Sequence, residues 1–193
     1  MPYPATLELD ASPEIANWRP LVHWLLAIPH LVLAQALQYV GQVVALISWV
    51  VIVSTGALPA GLANFQCLVI RYAARAYSYA AWLREPYPPF EFAMTGSDPG
   101  TDPLRIELQP ELTDRNRLTV GLRLIWAIPA AIFGAVLSLA ASVALLVAFF
   151  AVLFTGRWPD GLRDFVIRCG RYFIRLTAYV DLLTDEYPPF ALE

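Results

Sequence analysis

Residues 155–190, TGRWPDGLRDFVIRCGRYFIRLTAYVDLLTDEYPPF, restate residues 55–90, TGALPAGLANFQCLVIRYAARAYSYAAWLREPYPPF, at a constant offset of 100. The correspondence runs back without a gap to Ala27-Ile28-Pro29 and Ala127-Ile128-Pro129. Upstream of each Thr-Gly lies an apolar run, 31–54 and 124–154, with no Lys, Arg, Asp or Glu. Each run exceeds the roughly 20 residues that cross a hydrocarbon core. The chain therefore reads as a tandem duplication of one membrane-embedded unit.

Composition narrows the class further. Hydrophobic residues make up 58% of the chain and charged ones 15%, against about a quarter charged in soluble domains. Net charge is −3 and all 13 basic residues are arginine, so no basic tail points to nucleic acid. Cys67 and Cys169 sit in apolar helical stretches and read as small hydrophobes. His23 and His30 are separated by Pro29 and have no carboxylate or thiol at metal-ligand spacing. Ser and Thr occur without an arranged base, and the glycines form no phosphate loop. No catalytic residue, metal or cofactor is expected, and the protein reads as non-enzymatic. The first 18 residues lack a charged-then-apolar leader pattern, so the first apolar run is the expected insertion signal.

The expected fold is an all-α membrane bundle with minor β: one repeat over 1–94, a linker over 95–103, and a second repeat over 104–193. Short alternating segments at 6–10 and 104–108 read as extramembrane strands. Helical runs of some 37 residues follow (18–54 and 118–154), with a kink expected at Pro29 and Pro129. The Thr-Gly-x-x-Pro-x-Gly-Leu turn leads into second helices over about 62–84 and 162–184. Tyr-Pro-Pro-Phe then forces extended chain, and 91–94 and 190–192 read as further strands of a small sheet. This gives four spans. Arg19, Arg84, Arg105, Arg115, Arg117 and Arg123 fall on the side of the termini and linker, against Arg157 and Arg163 at the turns. The positive-inside rule then puts both termini in the cytoplasm of a multi-pass plasma-membrane protein. The competing topology lays the arginine-bearing helices flat, so that each repeat crosses once and the two are inverted.

Arg71, Arg75 and Tyr79 share one helical face, with Tyr72 beside it; Arg171, Tyr172, Arg175 and Tyr179 repeat the pattern and Arg168 adds a cation. Charge within a span is expensive and faces protein, water or headgroups. Three uses stay open: guanidinium groups snorkelling to phosphates, a polar seam joining the repeats, or a site for an anionic headgroup or solute. Gln35, Gln38 and Gln42 form a polar stripe where the other copy has Gly134, Ser138 and Ser142, a pattern that suits close helix packing. Asp181 is the one acid well inside a helix, and its counterpart is Ala81.

The doubled string Thr-Gly-x-x-Pro-x-Gly-Leu-x-x-Phe, Arg-Tyr-x-x-Arg-x-x-x-Tyr and Tyr-Pro-Pro-Phe resembles the family called domain of unknown function 4389, a family of bacterial membrane proteins. It is carried by Thr55, Gly56, Pro59, Gly61, Leu62, Phe65, Arg71, Tyr72, Arg75, Tyr79 and Tyr87 to Phe90, each recurring 100 residues on. Ala57-Leu58 departs from the basic–aromatic pair kept as Arg157-Trp158. The resemblance implies no activity. The expected role is an accessory or scaffold subunit of a membrane complex, in contact with lipid and with a partner membrane protein or a second copy. A lipid- or anion-binding transport component is the alternative.

Overall fold

The computed structural model describes residues 3–192. It is mostly helical: β1 (Ala5–Leu9), α1 (Arg19–Thr55), α2 (Ala60–Ala80), β2 (Leu104–Leu108), α3 (Arg117–Gly121), α4 (Arg123–Thr155) and α5 (Asp160–Val180). Each repeat is a helical hairpin. Gly56 and Gly156 close α1 and α4 in the left-handed conformation, at φ 78° and 69°, where a side chain would be strained. Pro59 and Pro159 then cap the returning helices.

The returning helix lies antiparallel along the first. Gln66 Nε2 donates to the Gly41 carbonyl at 2.8 Å, Tyr72 hydroxyl and His30 Nδ1 share a 2.7 Å hydrogen bond, and Tyr79 stacks on His23 at 4.3 Å. In the second hairpin Tyr172 donates to the Ala130 carbonyl at 2.7 Å, and Gly134 lets Leu176 and Phe173 approach. A Cβ on Gly134 would come within 3.1 Å of Leu176. The contact stripe of α1 (His23, Ala27, His30, Ala34, Gly41, Ser48, Ile52) is narrow, and much of the rest of its circumference is exposed and apolar.

The hairpins meet head to tail. Ile15 N–H donates to the Gly156 carbonyl at 2.9 Å and Asn17 to that of Leu153 at 3.2 Å. At the other end Arg115 N–H donates to the Gly56 carbonyl at 3.1 Å, Arg117 to that of Thr55 at 2.8 Å, and Trp49 to that of Val120 at 3.0 Å. The start of α1 thus adjoins the end of α4, and the reverse, so the two long helices run in opposite directions. β1 and β2 pair antiparallel with Leu7 opposite Ile106, the matching residues of LEL and IEL. A pseudo-two-fold axis passes through that pair. The ribbon's inward residues Ala5, Leu7, Leu104, Ile106 and Leu108 are buried against Cys67, Ile70, Ile174 and Ala178. Each such large side chain contributes about 1.5–3 kcal/mol by leaving water.

Several expectations are corrected. Two helices, not four, are long and apolar enough to cross a membrane: α1 and α4, with 17% and 28% of their most apolar windows buried. The returning helices α2 and α5 are less apolar, with Arg71 and Arg75 in α2 and four arginines and two aspartates in α5. α1 and α4 run through Pro29 and Pro129 without a break. The break in the second run falls instead at Leu122, between α3 and α4. Residues 91–94 and 190–192 form no strand, because β1 takes the equivalent strand β2 as its partner. With the hairpins inverted, Arg19, Arg84, Arg157 and Arg163 cluster at one end of the long helices and Arg115, Arg117 and Arg123 at the other.

Candidate functional site

Both arginine–tyrosine motifs turn their tyrosines toward the long helix of the same hairpin and their arginines away from it. The tyrosines are packing elements. Tyr87 and Tyr187 of the two Tyr-Pro-Pro-Phe segments fold back edge-on to Tyr79 and Tyr179, both at 5.3 Å. Arg123 lies 3.9 Å over the Tyr179 ring where the first repeat places His23 on Tyr79.

The arginines differ between the copies. Arg71 and Arg75 are each 3% exposed under the segment 91–103. Arg71 donates to the carbonyls of Thr95 and Gly96 at 3.0 Å and lies 3.4 Å from Asp98. Arg75 holds both Asp98 oxygens at 2.9 and 3.0 Å and also pairs with Glu91. Arg84, fully buried, joins Asp102 to the Arg75 carbonyl at the end of α2. In the second copy Arg171 donates to the Leu7 carbonyl at 3.1 Å, Arg175 lies 5.7 Å from the Tyr3 ring, and Arg168 is exposed. The ion-pair centre of this half is Asp185, held by Arg115 at 2.7 Å and Arg123 at 2.5 Å. Burial raises the Asp185 carboxyl, but the hydrogen bonds from Arg115 and Asn116 and the two arginine charges outweigh it, leaving it below the usual range.

The expected residues therefore separate. Arg71, Tyr72, Arg75 and Tyr79 sit together in a polar seam between α2, the linker and the ribbon. The acids completing that seam, Asp98 and Asp102, were not singled out in the sequence. The available signal was that they are the acids of a short linker next to two arginines that need cover. Gly134 performs close helix packing. Gln35 is exposed, and Ser142 donates to its own helix at the Ser138 carbonyl, 2.8 Å. Gln38 accepts from Tyr77 at 3.1 Å, and Gln38, Gln42 and Ser138 line a cavity of about 850 Å³ between the repeats. Among the described residues no three metal-binding side chains come together.

No curated protein and no solved structure matches the chain. The family model described as a domain of unknown function, DUF4389, matches residues 17–91 and again 117–191. These stretches are the two hairpins with their Tyr-Pro-Pro-Phe returns, and the chain belongs to that family as two tandem copies.

Proposed function

We propose that the protein is a non-enzymatic integral membrane subunit of a larger assembly, with α1 and α4 crossing the bilayer in opposite senses. One observation carries this reading: the β1–β2 ribbon lies level with the middle of the long helices. Arg171 meets the Leu7 carbonyl one residue past the midpoint of α5, and Arg71 meets the linker at the same point of α2. The ribbon's outward face holds Thr6, Glu8, Arg105 and Glu107, all exposed. With α1 and α4 upright, this polar face stands at hydrocarbon depth, where unsatisfied polar backbone and charge are not tolerated against lipid. Protein must cover it, from a partner subunit or a second copy.

The first-repeat arginines are spent on the linker, so an anion site on α2 is not the reading the geometry supports best. Extraction into native lipid discs followed by mass spectrometry tests the proposal. A stoichiometric second polypeptide, or a defined homo-oligomer, is the expected result. A monodisperse single chain whose Glu8→Cys variant labels freely with a water-soluble maleimide overturns it.

A further inference from the structure

The cavity between the hairpins lies on the pseudo-two-fold axis, walled by α2 and α5 with the ribbon residues Leu7, Leu9 and Leu104 on one side. At about 850 Å³ it falls in the range of sites that enclose a whole small molecule. Its walls are mainly apolar, with Ala73 and Phe173 at matching positions. Matching positions differ in size and polarity, but only one pair among the described residues differs in charge. Asp181 is on the lining and its counterpart is Ala81, so the cavity carries a single charge at one end.

Among the described residues Asp181 is the only charged side chain on that lining. Carboxylates packed elsewhere in the molecule are answered by arginine: Asp98 by Arg71 and Arg75, Asp102 by Arg84, Asp185 by Arg115 and Arg123. The Asp181 carboxylate has no hydrogen bond or ion pair among the described residues. Burial pushes it up to about 7, with no neighbouring cation opposing the shift. Asp181 is half-buried on a mainly apolar lining, and its carboxylate is open to a cation that enters the cavity. The buried Trp82 indole N–H, also on the lining, likewise lacks an acceptor among the described residues.

We propose that this cavity binds an amphiphilic amine, its apolar body lying between α2 and α5 and its ammonium group meeting Asp181. The inference is independent of whether a partner subunit covers the ribbon. A phosphate-bearing lipid would set an anion near Asp181, so the fit is to an amine without phosphate.

The test uses the full chain in lipid discs, with dodecylamine, dodecyltrimethylammonium and dodecanol as probes and bound ligand read by native mass spectrometry. One dodecylamine per chain is expected, bound at least tenfold more tightly than dodecanol. Asp181→Asn should remove that preference while leaving dodecanol binding unchanged, and Ala73→Phe should reduce binding of both. The quaternary probe reports whether charge alone suffices or a donated hydrogen bond is needed; either result keeps the amine class, provided Asp181→Asn weakens it. Equal affinity for amine and alcohol, an unchanged Asp181→Asn variant, or no saturable binding overturns the proposal. The unchanged dodecanol affinity shows that Asp181→Asn has kept its fold.

Discussion

In α2 the two arginines of the repeated motif are sealed under residues 91–103 and answered by Asp98, Asp102 and Glu91; in α5 the matching residues are half-buried, Arg171 donating to the Leu7 carbonyl of β1 and Arg175 lying beside the Tyr3 ring. The tyrosines beside them do the same work in both copies. A motif repeated to the residue thus divides into a part that folds its own hairpin and a part whose role is set by what lies on top. Tyr72 and Tyr172 find their partners 42 residues upstream in the same hairpin. Arg71 and Arg75 depend on a linker outside either family match.

The largest effect separating the two helices is expected at Asp98. Asp98→Ala leaves Arg71 and Arg75 buried without their carboxylate, and breaking a buried pair this way costs about 3–5 kcal/mol. Unfolding by sodium dodecyl sulfate titration in mixed micelles reads the difference. If Asp98→Ala were no worse than a change in α5, the contrast between the helices would collapse.

Next in size is Arg123→Met, which removes one of two charged donors to Asp185 and should cost roughly 1.5–3 kcal/mol. It also has a pH signature. The Asp185 carboxyl is depressed below its ordinary value of 3.8, so its stabilising contribution is complete above that value and is lost as pH falls through the lower, folded value. Melting temperature against pH should therefore show a shallower acid limb in Arg123→Met. An acid limb identical to the parent's would remove Asp185 from the account.

The smallest effect belongs to Arg171→Gln, about 0.5–1.5 kcal/mol for one hydrogen bond to a carbonyl at a half-buried site. A loss equal to that of Asp98→Ala would show that α5 carries a buried ion network of its own.

Local features were legible in the sequence and relations between distant segments were not. The duplication, the Thr-Gly turns and the second helices, expected over about 62–84 and found at Ala60–Ala80, all follow from patterns a few residues wide. The ends of α2 and α5 ran short of expectation because Trp82 and Leu182, not glycines, take the left-handed position after them, at φ 45° and 66°. Strand pairing was missed because β1 and β2 are equivalent pieces almost 100 residues apart, and only a two-fold arrangement brings them together. The arginine count rests on the same kind of relation: it assumed that both hairpins enter from one side. The small-residue signal at Gly134, where Leu176 and Phe173 approach, is helical and local, whereas the cavity faces of Gln38 and Ser138 depend on the other repeat.

The inverted arrangement of the hairpins is the claim on which the rest depends, and single cysteines at Thr55 and Thr155 test it most directly. Both positions are exposed, and the native Cys67 and Cys169 are buried, with Cys67 pushed up to about 11 by burial, so background labelling is low. In sealed vesicles of uniform orientation, a membrane-impermeant maleimide should label one variant to completion and leave the other protected. Complete labelling of both from the same side would put both turns on one face, restore the same-sense hairpins, and contradict the account.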